Sequence, residues 1–364
     1  MYKTVKDKQI IVKYMKKLNI LILAILVFCT SCKESTSIKV GTILPLTDFA
    51  SYTGELVKKG IELANDSLNG DSKLEFIIGD NQSSPSVGMN VFKEFQMRGI
   101  KIFLTCGGPQ TMSFASLSNN KDEVLFVTAA NMQALTEVSN RIIRMSPTGK
   151  SMSSKLAEFN YDSLGMRRTA ILYLNLDMGV EFLKGYKNRF EELGGEIVSS
   201  ESYEPNQRDF KDIIQKTAFS KPDILYLIGS GESLGTLIRQ TMYNPLLSGI
   251  PITGDFNFSD PSVLKMIETR STDIYYADIA VADTFKSLYE QRFNEPVSSY
   301  AAFGYSMVQI YHDIIVGENI TKPIDIYNRI INHSFKTAIN TISFDKNGEP
   351  EFTIITRRLL KNGK

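Results

Sequence analysis

The chain has 364 residues, 43% of them hydrophobic and 22% charged. This excludes a disordered chain, a collagen-like repeat and a disulfide scaffold, and gives room for about two domains. The formal charge of +1 averages two unlike parts: residues 1–31 hold six lysines and one aspartate, and the remainder holds 35 basic and 39 acidic residues. A body that is acidic on balance is not built to hold phosphate backbones, so nucleic acid is excluded as a partner.

The first element is an address. Lys13, Lys16 and Lys17 precede an apolar run from Leu18 to Phe28, broken only by Asn19 and followed by Cys29-Thr30-Ser31-Cys32. A basic region, a short apolar core and small residues describe a secretory signal. The run is shorter than the roughly 20 residues that span a bilayer. Its end resembles a bacterial lipobox, with Cys29 where leucine is usual, and this resemblance implies cleavage before Cys32 and acylation there. Residues 1–31 are then a signal peptide, with Met15 a more natural start than Met1, and 32–37 a polar tether. With Cys29 removed and Cys32 acylated, Cys106 has no partner and is expected to be a free thiol. Two histidines and these scattered cysteines offer no zinc spacing outside the leader.

Strands and helices then alternate. Strands are predicted at Ile38–Leu44, Leu74–Ile78, Ile100–Leu104 and Val124–Val127. Helices lie between them, with Leu56, Val57, Gly60, Ile61, Ala64 and Leu68 on one face of the first and Val87, Val91, Phe92 and Phe95 on one face of the second. The pattern restarts after Pro147, with strands at Thr169–Leu174, Asp223–Ile228, Pro251–Thr253 and Ile274–Ala280 and helices at Val180–Leu193 and Ser233–Met242. Helices at Ala282–Phe293, Ser299–Val316 and Ile324–Asn332 follow. A hairpin of Ile339–Phe344 and Phe352–Ile355 about Asp345-Lys346-Asn347-Gly348 closes the chain. Alternation of this kind predicts an α/β fold with parallel sheets covered on both faces, in two domains divided near Pro147.

The opening Ile38-Lys39-Val40-Gly41-Thr42-Ile43-Leu44-Pro45-Leu46-Thr47, with Ser51-Tyr52-Thr53-Gly54-Glu55 and Lys59-Gly60-Ile61-Glu62-Leu63-Ala64, resembles the branched-chain amino-acid binding proteins, type I periplasmic solute-binding proteins of ABC importers. Gly79-Asp80-Asn81-Gln82, Thr128-Ala129-Ala130-Asn131, Arg144, Phe344-Asp345 and Gly348 match in register. The resemblance implies two Rossmann-like lobes joined by three hinge crossings, near Thr148, Tyr276 and Ala338. Lobe 1 is then 38–148 plus 276–337, and lobe 2 is 149–275 plus 338–364. It also implies an exported protein of the bacterial cell envelope, anchored to the lipid bilayer through acylated Cys32. Its partners would be a small-molecule ligand and a membrane ABC permease, with no cofactor.

Ligands of open α/β sheets bind beyond the carboxyl ends of the strands, and here those ends carry small and polar residues. The Gly107-Gly108 loop opens a helix whose free N–H groups suit a carboxylate. By resemblance, Tyr52 occupies the place of an aromatic that covers the ligand, and Gly107 that of a serine on its carboxylate. Asn131 replaces a threonine, in the loop that also holds Ala129. Met178 and Ser230 stand where aromatic rings close the cleft. Asp255 lies near the acidic residue that receives an α-ammonium, with Phe256 as the other possible counterpart. These exchanges point to a small ligand with a carboxylate, other than leucine, isoleucine or valine. Gly229-Ser230-Gly231 has the wrong spacing for a dinucleotide fingerprint. No catalytic constellation is seen, so the chain is not expected to be an enzyme. A regulatory or sensory lipoprotein of the same fold, acting through protein contacts, is the alternative.

Overall fold

The computed structural model describes residues 37–68, 73–115, 117, 124–127, 130–139, 141–267 and 272–359. Cys32 and the leader lie outside the described residues, as does Ala129. In chain order the elements are β1 (Ile38–Leu44), α1 (Ser51–Leu68), β2 (Leu74–Asp80), α2 (Pro85–Met97), β3 (Ile102–Thr105), α3 (Gly108–Ala115), β4 (Val124–Val127), α4 (Ala134–Val138) and β5 (Ile142–Arg144). Next come α5 (Gly149–Glu158), β6 (Arg168–Leu174), α6 (Asp177–Glu192), β7 (Glu196–Tyr203), α7 (Lys211–Phe219), β8 (Ile224–Ile228), α8 (Gly231–Met242), β9 (Ile252–Gly254), α9 (Pro261–Met266) and β10 (Ile274–Ile279). The chain closes with α10 (Asp283–Phe293), α11 (Ser299–Tyr311), α12 (Pro323–Ile331), β11 (Phe335–Thr337), β12 (Asn340–Ile342) and β13 (Ile354–Leu359).

Two α/β lobes result. The first holds a five-stranded parallel sheet in the order β2-β1-β3-β4-β5. The second holds a six-stranded sheet, β13-β10-β9-β8-β6-β7, parallel except for β13. The period-2 alternation of each strand feeds two cores. In the first lobe Val40, Leu44, Ile102 and Leu104 face α1 and α11, while Ile43 and Phe103 face Phe92 and Phe95 of α2 and Phe114 of α3. In the second, Ala170, Leu172, Leu225 and Leu227 face α7 and α8, while Ile171, Tyr226 and Ile228 face α5 and α6. α1 and α11 lie backbone to backbone: a Cβ on Gly60 would sit 2.0 Å from the Ala301 carbonyl oxygen, and one on Gly304 2.2 Å from that of Val57.

Two expectations about the end of the chain are corrected. Tyr276 does not mark a crossing; it pairs with Gly254 and Arg357 inside the second sheet, because the apolar run Ile274–Ile279 is one unbroken strand. Ala338 does not mark one either. It is buried in the first lobe's core, and its N–H donates to Gln309 Oε1 at 3.1 Å. The chain passes between sheets after β5, after β10 and before β13. The expected hairpin also differs: β12 pairs back onto β11, Phe344 makes only an isolated bridge to Pro350, and residues 354–359 join the second sheet. The Asp345–Gly348 turn is held by its own aspartate, which accepts from the Asn347 and Glu349 N–H groups. The Gly348 carbonyl accepts the Arg144 N–H at 3.0 Å, so this turn docks on β5 before the chain leaves the first lobe. The polar strand β7 had no apolar run to announce it; at the edge of its sheet it is half exposed along most of its length.

Candidate functional site

A cleft of about 470 Å³ lies between the lobes, at the carboxyl ends of both sheets. Its first-lobe wall includes Pro45, Ser83, Cys106, Gly107, Gly108, Gln110, Asn131 and Met132; the second lobe contributes the turn from Leu174 to Met178 and Ser230. The structure therefore brings together five of the sequence-derived positions: Gly107, Gly108, Asn131, Met178 and Ser230.

The first-lobe wall is knitted from three loops. Asp80, ending β2, accepts the Leu46 N–H at 2.8 Å and the Thr47 hydroxyl at 2.7 Å. Burial works against its charge, but these bonds and one from the Gln82 N–H win and lower its pKa. Ser83 Oγ donates to the Thr47 carbonyl and accepts the Ala50 N–H. Asn81 Nδ2 reaches the Cys106 carbonyl, and Gln110 Nε2 donates to the Ser83 carbonyl at 2.7 Å. Gly107 has φ +96°, and a Cβ there would sit 2.2 Å from Gln110 Oε1. Only glycine turns the chain into α3 at this point. The first-turn N–H groups of a helix have no intrahelical partner and favour an anion. Cys106 is buried and in no disulfide among the described residues.

Asn131 stands beside a buried hub. The fully buried Arg144 pairs with Glu349 and donates from NH1 to the Met132 carbonyl. Ser146 Oγ donates to the Ala130 carbonyl, and the Asn131 carbonyl accepts the Gly149 N–H as the chain enters the second lobe. Met178 lies in the first turn of α6, and Ser230 is the N-cap of α8 with no side-chain capping bond.

Two positions fall elsewhere. Tyr52 lines an adjoining recess rather than the cleft itself; burial, followed by the nearby Asp260 carboxylate, raises its pKa. Asp255 does not line the cleft. It is 1% exposed, with Oδ1 accepting from the Asn257 N–H at 2.9 Å and from Asn257 Nδ2 at 2.6 Å. Burial pushes its pKa up to about 7; the Asn257 bonds oppose this and Asp278 adds to it. A carboxyl so placed serves the β9–α9 turn, whose backbone polar groups need a partner.

Sequence reasoning missed Tyr300, Phe49 and Asp177. Tyr300, from α11, lines the cleft and donates to Asn257 Oδ1 across the lobes at 2.8 Å. Beside it Ser299 Oγ donates to Asp278 Oδ1 at 2.7 Å, and Arg357 pairs with the other oxygen. The serine-led start of α11 was the available signal; nothing local tied it to residues more than 200 positions earlier. Phe49, 49% exposed, projects at the mouth. Asp177 is the charged side chain in the lining among the described residues.

The comparisons with known proteins agree with this architecture. The chain is 24% identical over 328 residues to Leu/Ile/Val-binding protein homolog 1 of Brucella abortus (strain 2308), covering 86% of this chain and 87% of that protein. In fold it is similar to the substrate-binding protein LivJ of Streptococcus pneumoniae in complex with isoleucine, with a TM-score of 0.79, 19% identity and coverage of 90% and 97%. A solute-binding protein of an ABC transporter from Rhodopseudomonas palustris BisB5, in complex with 3,4-dihydroxybenzoic acid, gives 0.81 at 21% identity, with coverage of 89% and 93%. The periplasmic binding protein family model matches residues 37–347. Two lobes, a cleft between them and a match over most of the chain lead to one conclusion: this chain belongs to the periplasmic binding protein family.

Proposed function

We propose that this chain is a lipid-anchored, extracytoplasmic solute-binding protein of an ABC importer. It closes its lobes around a small ligand bearing a carboxylate and presents the closed form to a membrane permease; it is a binding protein and not an enzyme. The observation that carries this reading is the inter-lobe cleft with a glycine-led helix start in its wall. Isoleucine and dihydroxybenzoic acid, the ligands of the two similar structures, share a carboxylate. Asp255 is buried outside the lining, with one oxygen on its own turn; among the described residues Asp177 is the acid at the lining that an α-ammonium would meet. With Met178 and Ser230 where the family resemblance implies aromatic rings, this favours a ligand other than leucine, isoleucine or valine. Asn131 adds an amide that donates and accepts.

A thermal-shift screen of amino acids, amides and carboxylates followed by calorimetric titration tests this, because a ligand that binds only the folded chain stabilises it. Tight, saturable binding of leucine would contradict the ligand class. Silence from every carboxylate would favour a regulatory lipoprotein acting through protein contacts. The anchor is tested separately: mass spectrometry of the mature protein should find an acylated Cys32 at its N-terminus, and an unmodified N-terminus elsewhere would sink it.

A further inference from the structure

The cleft has a neighbour. A second recess of about 300 Å³ adjoins it, and Phe49, Leu174 and Ser230 belong to the lining of both. The two differ in chemistry. In the first, thioethers and hydrocarbon from Met132, Leu176, Met178 and Val180 dominate beyond the glycine-led helix start. In the second, hydroxyls and amides dominate: Ser51, Asn206, Gln207, Ser233, Thr236 and Ser262. Its charges are nearly balanced. Arg208 and Glu232 pair with each other at 3.3 Å, both largely exposed, and Asp48 spends one oxygen on the Phe49 N–H at 2.8 Å. An exposed pair of this kind is held weakly and opens at little cost. The Ser230 hydroxyl, on the shared boundary, makes no capping bond to its own helix.

We infer that the ligand is elongated and two-headed. A carboxylate sits at the Gly107–Gly108 helix start, an apolar middle passes the methionines and Phe49, and a neutral hydrogen-bonding head, hydroxyl or carboxamide, enters the second recess. The inference rests on the solute-binding reading above and names the ligand class for the same site. The neutral head follows from the lining: hydroxyls and amides both donate and accept, whereas Arg208 is already paired with Glu232 and Asp48 already accepts the Phe49 N–H, so a charged head of either sign would meet a like charge and have to break an existing contact. A compact amino acid would leave the second recess to water.

Titration of the mature protein with one matched series decides it: octanoate, ω-hydroxyoctanoate, the monoamide of suberic acid, suberate and ω-aminooctanoate, with benzoate as a compact carboxylate. The hydroxyl and amide forms should bind about tenfold tighter than octanoate, the worth of one or two net hydrogen bonds, and tighter than either doubly charged form. In the double variant Gln207→Ala, Arg208→Ala that preference should fall to near one. Unliganded melting of the variant checks that it remains folded, since Arg208 is exposed but Gln207 is half-buried and its side chain accepts the Glu204 N–H and donates to the Asp209 carbonyl. If benzoate or octanoate binds and no neutral ω-head improves on it, the two-headed inference is overturned while the solute-binding reading stands. A preference for a charged ω-head, or one that survives the double variant, also overturns it. If no member of the series binds, the two-headed inference is overturned, and the solute-binding reading falls only if the wider carboxylate screen is silent too.

Discussion

The two walls of the cleft are built differently. On the first lobe, three loops are cross-braced by side chains: Asp80 holds the Pro45–Thr47 turn, Ser83 holds Thr47 and Ala50, and Gln110 holds Ser83. On the second lobe neighbouring strand ends are tied to one another mainly through backbone acceptors, with one exposed side-chain tie, Asn175 Nδ2 to Glu204 at 2.7 Å. The Asn175 N–H donates to the Tyr203 carbonyl at 2.7 Å, Tyr203 Oη to the Ile228 carbonyl at 2.9 Å, and the Ser230 side chain braces nothing. A wall whose loops are tied to each other is ordered before a ligand arrives and costs little to use. The glycine-led wall therefore fixes where the polar head goes. The second wall, with its flexible methionine, sets what shape fits against it.

The comparison breaks most readily at the hub beneath the first wall. Arg144→Leu should destabilise the protein by about 3–5 kcal/mol, since it removes the buried partner of Glu349 and frees the Met132 carbonyl. Chemical denaturation reads this directly, and a loss below 1 kcal/mol would show that the hub is not what holds the first wall.

Next comes the buried acid of the second lobe. Asp255 has a folded pKa of about 7 against an ordinary value near 3.9. Between those values the native chain keeps a proton that the unfolded chain has lost, so this group makes stability fall as pH rises from about 4 to about 7, after which the penalty is constant. Asp255→Asn should remove that slope and gain on the order of 4 kcal/mol at pH 8 relative to pH 4. Parallel pH–stability curves for the two proteins would refute the assignment.

Gln110→Leu cuts the tie between the second and third loops and leaves the buried Ser83 carbonyl short of a donor, at about 1–3 kcal/mol. Gly107→Ala places a side chain at φ +96° against Gln110. It should cost about 1–3 kcal/mol in stability and weaken ligand binding by more than tenfold. Stability and affinity falling together would mark the first wall as one rigid unit; an unchanged affinity in Gly107→Ala would separate the carboxylate from this loop. The smallest effect is expected across the cleft: Ser230→Ala should change unliganded stability by less than about 0.5 kcal/mol, since it caps nothing. A large loss there would mean that the second wall is braced after all.

Much of this molecule could be read along the chain. β1 was predicted at Ile38–Leu44 and lies there; α8 was predicted from Ser233 and starts at Gly231, with its end at Met242 as expected. Alternating apolar residues and 3.6-residue stripes are local patterns, and they determine which faces must be buried. Gly107 was legible for the same reason, since a glycine pair between strand and helix has a short-range conformational cause. The sequence by itself thus determined two α/β lobes and the loops at their carboxyl ends. Tertiary structure alone decided that Asp255 turns inward to its own turn, that Tyr52 stands at a neighbouring recess, that Tyr300 reaches Asn257 across the lobes, and that residues 354–359 close the second sheet. Each depends on which distant segments meet. A polar side chain's role is set by the partner within about 3 Å of it, and that partner is fixed only when the hydrophobic faces have packed.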